Sequence, residues 1–244
     1  MDTEKIASLS QREDDKSFRL RPIRAQDLDL GSREILKDET ELIWYPAEVN
    51  TSIRPGWFWH ESENSQVKPL SRLIDIYLNS VGGNATFLLN IPPDRRGLFH
   101  ETDVERLREL GAFLNNNFTH NLLPEAEQLS APDPEEGHEL CRIASEDDQY
   151  YYPACHTCLP EISARWSKVQ TIRYAVIREH LQLSQRIEQF ELWAEKNGRM
   201  VCLHRGTTVG YKRIVKLENC HADFILLRIT DSRGTPAIEQ LAFF

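Results

Sequence analysis

Apolar residues along this chain change their spacing once, near residue 130. Before that point they form two kinds of run. Glu41-Leu42-Ile43-Trp44-Tyr45 is a short apolar run of β-preferring residues stopped by Pro46, which predicts a buried strand. Val67, Leu70, Leu73, Ile74, Tyr77, Leu78 and Val81 recur at spacings of three and four, which predicts one apolar stripe on a helix, closed by Gly82-Gly83. A second continuous apolar run, Ala85 to Ile91, ends at Pro92-Pro93 and predicts another strand. Thr102 with Glu105 three residues later has the form of a capping box, and Val104, Leu107, Leu110, Leu114 and Phe118 line the helix it would open. Strands that are apolar throughout, alternating with helices, imply parallel pairing covered by helices, as in an α/β sheet or barrel. Two such units cannot close a sheet by themselves.

Ahead of these elements, residues 1 to about 38 are polar and charged without a sustained period, and they read as a helix end and a long loop. From Pro124 to Gly137 the composition shifts to Pro, Glu, Asp, Ala and Gly, a linker signature. Beyond it the period becomes two. Strand-like runs occur around Ile172–Val176, Ile187–Leu192, Met200–Leu203, Ile214–Leu217, Phe224–Ile229 and Ile238–Phe243, separated by glycines or polar turns. Asn197-Gly198 suits a two-residue hairpin turn, whose central positions both need positive φ. The fold class is therefore α/β plus all-β: α/β units over 1–128, a linker over 129–137, and an antiparallel, jelly-roll-like β-sandwich over 138–244.

Charge narrows the partners. With 29 Lys and Arg against 38 Asp and Glu, the formal net charge is −9, so the diffuse basic field used by nucleic-acid and anionic-membrane binders is absent. No stretch approaches the roughly 18 apolar residues of a membrane span. The 5 cysteines are an odd count in a chain large enough to fold without a disulfide framework, and they read as mostly reduced thiols. His138, Cys141, Cys155 and Cys158 have spacings that a tetrahedral zinc site could use, but four such residues fall this way by chance, and no metal or cofactor is expected. Three Asn-x-Ser/Thr sites, at Asn50, Asn84 and Asn117, read as chance sequons.

The phrase Trp44-Tyr45-Pro46-Ala47-Glu48-Val49-Asn50-Thr51-Ser52-Ile53-Arg54-Pro55-Gly56-Trp57-Phe58-Trp59-His60 resembles a segment of α-L-fucosidases of glycoside hydrolase family twenty-nine. The resemblance continues through Ser80-Val81-Gly82-Gly83-Asn84, Leu88-Leu89-Asn90-Ile91-Pro92-Pro93-Asp94 and Gly97-Leu98-Phe99-His100. It reaches back to Asp29-Leu30-Gly31-Ser32-Arg33-Glu34 and forward to Gln185-Arg186-Ile187-Glu188, Gly206 to Arg213 and Asp231 to Pro236. It implies the C-terminal part of a catalytic (β/α)₈ barrel followed by a β-sandwich. A complete barrel takes roughly 250 residues, so the resemblance also implies that the earlier β/α units are not in this chain. The family's nucleophilic Asp, in a Trp-x-Asp-Gly type motif, has no counterpart here. The implied substrate is a fucosylated oligosaccharide or glycoconjugate. A different class, a non-catalytic carbohydrate-binding or structural module, would use the same sandwich.

Retaining glycosidases need two carboxyl groups, one attacking the anomeric carbon and one donating and later accepting a proton. Glu48 is the candidate for the second, placed just after the run at 41–45 and so expected at the C-terminal end of a strand, where barrel enzymes keep their chemistry. Its ordinary alternative is a loop salt bridge with Arg54. Fucose is a 6-deoxy sugar, so its pocket needs an apolar wall for the methyl group; Trp57, with Trp44 and Trp59, is a candidate wall, the alternative being loop packing. Arg54 can contact a carboxylate or a substrate oxygen through its fork, or fix the turn before Pro55-Gly56. Asn84 and Asn90 are expected to hydrogen-bond the backbone near the last strand.

Overall fold

A computed structural model describes residues 27–40, 42, 46–145 and 147–244. The described residues divide into two compact units, one of Asp27 and Thr40–Asn116, the other of Leu28–Glu39 and Asn117–Phe244. The strand expected over residues 41–45 falls outside the described residues except for Leu42, which is irregular, as is Pro46.

In the first unit, β1 (Glu48–Ser52) and β2 (Thr86–Asn90) pair in parallel, with Glu48 opposite Thr86 and Ser52 opposite Asn90. Two parallel neighbours need a long crossover, and the helix between them, Leu70–Ser80, supplies it. Pro69 opens that helix, where its missing N–H costs nothing. Gly83 closes it: a Cβ there would stand 2.4 Å from the Asn79 carbonyl oxygen, so only glycine fits. The second helix, Glu101–Phe118, starts one residue before the expected cap. Thr102 lies inside its first turn, and the His100 ring takes the capping role, its Nδ1 accepting from the Thr102 backbone N–H at 3.3 Å. The capping box is thereby corrected, because an imidazole can accept as a hydroxyl does. Ile53, Leu73 and Leu110 form the buried core, with Leu70, Ile74, Leu89, Ile91, Leu107 and Leu114 packed around them. The stripes read from spacing are the faces that meet here.

The second unit is antiparallel throughout. Its strands are β3 (Gln128–Ser130), β4 (Glu161–Glu179), β5 (Ile187–Lys196), β6 (Arg199–Gly206), β7 (Arg213–Ser232) and β8 (Ile238–Phe243). They run in the order β3-β4-β7-β5-β6, with β8 on β4. β5 and β6 form the expected hairpin, and Asn197 (φ 54°) and Gly198 (φ 70°) both hold the left-handed backbone its turn requires. Two expectations change: the runs at 214–217 and 224–229 are one strand, β7, and β4 begins well before Ile172. No glycine or proline stands between Leu217 and Phe224, so nothing ends the strand there. Instead the β4–β7 register shifts between Arg165 and Gln170 and again between Ile172 and Tyr174, irregularities that bend long strands. Trp166, Ile172, Phe190, Leu227 and Phe243 are among the fully or nearly fully buried core residues, and the Trp166 indole N–H donates to the Leu122 carbonyl at 2.8 Å.

Candidate active site

The C-terminal ends of β1 and β2 gather a set of hydrogen-bonded polar side chains. Ser52 and Asn90 end the two strands side by side. The Asn90 side-chain amide donates to the Ser52 hydroxyl (3.2 Å) and to the Trp57 backbone carbonyl (2.8 Å), so it ties the loop after β1 to the strand pair. Lys68 adds a second tie, its ammonium donating to the carbonyls of Ser52 and Arg54, the latter at 3.3 Å. Burial, and then the nearby Arg72, push the Lys68 amine down from its ordinary value.

Arg54 leaves β1 pointing inward, its side chain fully buried. Its Nε donates to Asp103 Oδ2 at 2.9 Å, and Nη1 donates to the Asn64 side-chain oxygen at 3.0 Å and to the His60 carbonyl at 3.4 Å. Asp103, on the Glu101–Phe118 helix, is also fully buried. Arg54 thus contacts a carboxylate, that of Asp103, and the loop salt bridge with Glu48 that stood as the alternative reading of Glu48 is not formed. A carboxylate 49 residues away leaves no trace in local spacing. Each partner keeps one buried atom without a hydrogen bond, Arg54 Nη2 and Asp103 Oδ1.

The loop this arginine anchors presents aromatics. Trp57 is 46% exposed and Phe58 74% exposed. Trp59 is half-buried, with its ring centroid 6.2 Å from that of His100 and its indole nitrogen buried without a partner. Gly56 donates its backbone N–H to Glu63 at 3.4 Å. Trp44 lies outside the described residues. Glu48 is exposed and opens β1, so it stands at the N-terminal end of that strand, about 13 Å along it from Ser52 at the usual rise per residue. Sequence reasoning placed it at the other end because it took residues 41–45 for the strand. The structure therefore brings together Arg54, Trp57 and Trp59, and adds Asn64, Lys68, Asn90 and Asp103, which were missed or read as scaffolding. Glu48 is set apart from them.

Elsewhere, the residues with zinc-like spacing do not assemble. Cys141, Cys155 and Cys158 are exposed free thiols, and His138 stacks on Tyr150 with centroids 4.2 Å apart. Among the described residues, no group of three or more His, Cys, Asp or Glu is arranged to hold a metal ion.

Comparison with known proteins gives this geometry a context. A family model described as alpha-L-fucosidase matches residues 18–119. Alpha-L-fucosidase 1 of Arabidopsis thaliana is 36% identical over 217 residues, covering 82% of this chain and 41% of that protein. Among solved structures, SpGH29 superposes with a TM-score of 0.77 at 30% identity, over 85% of this chain and 45% of that one. A GH29 fucosidase of Ruminococcus gnavus, solved in complex with fucose, superposes with a TM-score of 0.76 at 26% identity, over 82% of this chain and 41% of that one. The class these likenesses point to is that of the glycoside hydrolases. Within it, the chain is similar to α-L-fucosidases, and it spans about two fifths of the length of the curated relatives it matches, 41% and 40%.

Proposed function

We propose that this chain is the C-terminal portion of a retaining α-L-fucosidase, acting on terminal α-L-fucosyl linkages of fucosylated oligosaccharides or glycoconjugates. In this reading β1 and β2 are late strands of a (β/α)₈ barrel, and the antiparallel unit is its jelly-roll-like sandwich, with the division of the chain after Asn116. The nucleophilic Asp is supplied by barrel strands that this sequence does not contain. The observation that supports the reading best is the parallel strand pair whose C-terminal ends carry a pinned loop with an exposed Trp57, since barrel enzymes build their sites at that end.

In the chemistry proposed, one carboxylate attacks the anomeric carbon, and a carboxylic acid protonates the departing oxygen and then activates water. Trp57 is the apolar wall for the fucose methyl group, with Trp59 on the same loop; Trp44, the third candidate, lies outside the described residues. Arg54, its charge neutralised by Asp103, positions the loop and does not contact the sugar. Glu48 carries the acid/base proposal on resemblance alone, and its place at the N-terminal end of β1 weighs against it.

The reading is tested with a chimera that joins the N-terminal portion of the Arabidopsis relative to this chain. It should hydrolyse a nitrophenyl α-L-fucoside, whereas the chain alone should not. A folded chimera without turnover, in which the isolated chain nonetheless binds fucosylated glycans, would favour the non-catalytic module.

A further inference from the structure

The antiparallel unit holds a cleft of about 440 Å³ whose lining includes Val169, Glu195, Lys196, Asn197, His221 and Asp223. Two local features build it. On one side, β4 departs from β7: Arg165 pairs with Phe224 and the next pair is Gln170 with Ala222, so Trp166, Ser167, Lys168 and Val169 stand opposite Asp223 alone. The surplus residues push the strand outward and leave Val169 63% exposed, while Trp166 points into the core. On the other side the β5–β6 hairpin turns at Asn197-Gly198, and its tip forms the opposing wall. The buried Ala222 makes the floor.

The lining is chemically mixed in a particular way. Glu195 and Asp223 both face Arg165, which donates to Glu195 Oε2 at 2.8 Å and lies 3.9 Å from Asp223 Oδ2. The Arg165 guanidinium is itself fixed over the Phe224 ring, 4.6 Å from its centroid. One cation thus orients two carboxylates, and each retains oxygen lone pairs for further donors. The His221 Nδ1 is engaged with the Thr171 hydroxyl at 3.0 Å, which leaves Nε2 for a ligand. Two oriented acceptors, an imidazole and an amide beside an exposed valine suit a ring that carries several hydroxyls and one apolar face. Lys196 and Arg165 balance the charge of the two carboxylates, which favours a neutral ligand over an ion, and the small apolar wall gives little to a hydrophobic one.

We propose that this cleft is an accessory carbohydrate-binding site for a neutral sugar residue of a glycan, with Glu195 and Asp223 accepting from its hydroxyls and Val169 covering its apolar face. The choice of glycan as ligand rests in part on the fucosidase reading, but the cleft and its lining stand without it. The test is a titration of the whole isotopically labelled chain with 2′-fucosyllactose, followed by amide chemical shifts, with lactose and N-acetylneuraminic acid as comparison arms. Either neutral sugar should shift the amides of Lys196–Gly198 and His221–Asp223, and the acidic sugar should not. In a Glu195→Gln/Asp223→Asn variant whose spectrum is otherwise unchanged, affinity should fall at least tenfold, and Val169→Asp should weaken it independently. Shifts confined to Ile53–His60 and Thr86–Asn90 would leave the fucosidase reading intact and sink this one. Equal binding by the acidic sugar, or no shift in the cleft at about 20 mM sugar, well above a millimolar dissociation constant, would also overturn it.

Discussion

Arg54 and Asp103 place a full positive and a full negative charge where neither meets solvent, and the protein tolerates this because each is the other's partner. Removing one side strands the other, so Asp103→Ala should cost about 3–5 kcal/mol in the first unit. Arg54→Met with Asp103→Leu should cost much less than the sum of the single changes. Hydrogen exchange of the Ile53–His60 amides during urea titration would report it, and additive single effects would show the pair to be uncoupled. The same loop sets the roles of the residues it carries. In the active chimera, Trp57→Ala should reduce discrimination between a fucoside and its hydroxymethyl-bearing galactose-configured analogue by about 10-fold or more, the scale for one small group in an apolar pocket. An unchanged ratio would make Trp57 loop packing. Glu48→Gln should lower kcat less than about tenfold if position decides, since a general acid contributes about 10²–10⁴-fold. A loss on the larger scale, rescued by azide, would return the acid/base role to Glu48.

At the scale of elements, Glu179 at the end of β4 holds two backbone segments, Arg186–Ile187 and Gly210, at one point. Its Oε1 accepts from the N–H groups of Arg186 (2.7 Å) and Ile187 (2.9 Å), and its Oε2 from that of Gly210 (2.8 Å). Glu179→Ala would leave these donors buried and unpaired, and a loss of about 3 kcal/mol or more in urea unfolding is expected. Burial, the largest influence, pushes the Glu179 carboxyl above its ordinary value even against these donors. A carboxyl raised on folding contributes stability that is complete below its unfolded value and is lost as pH rises through its folded value. Glutamine imitates the protonated form, so wild type should lose ground to Glu179→Gln as pH rises above the ordinary carboxyl value of about 4, and a constant difference would refute the shift. None of this was visible in the sequence, where Glu179 is one charge after an apolar run. What spacing did reveal were features set by neighbours in the chain: the Leu70–Ser80 stripe, β2 ahead of Pro92-Pro93, and the Asn197-Gly198 turn. Features set by distant partners escaped it, among them Asp103 under Arg54, the single length of β7, and the histidine that replaces a threonine cap.

At the scale of the whole chain, the antiparallel unit includes a segment from far upstream, Leu28–Glu39, with its short helix α1 (Arg33–Leu36). The grip is mostly on backbone, which is why no residue pattern announces it. The Leu28 carbonyl accepts from the hydroxyls of Thr207 and Thr208 and from the Arg213 guanidinium. The Leu30 carbonyl accepts from Gln185 at 2.8 Å and Thr208 at 3.2 Å, and the Arg33 N–H donates to the buried Glu188 carboxylate at 3.0 Å. Arg213 is itself buried, and desolvation pushes its guanidinium down to about 10 despite the nearby Asp29. Without the Leu28 carbonyl, that cation would lose one of its few buried acceptors. The unit should therefore be incomplete when cut from its upstream strap. A 117–244 fragment is expected to melt at least about 5 °C below the same fragment joined to residues 27–40 by a Gly/Ser linker, the shift that about 1–2 kcal/mol produces in a domain of this size. A synthetic peptide of residues 27–40 should raise the melting temperature of the bare fragment in a concentration-dependent way, as any ligand of the folded state does. Arg213→Met in the bare fragment separates the two possible origins of the loss. If the stranded guanidinium is what destabilises the fragment, methionine should recover part of the deficit while weakening the peptide's effect. Should the bare fragment melt with the linked one and ignore the peptide, the strap would be a passenger on a self-sufficient sheet.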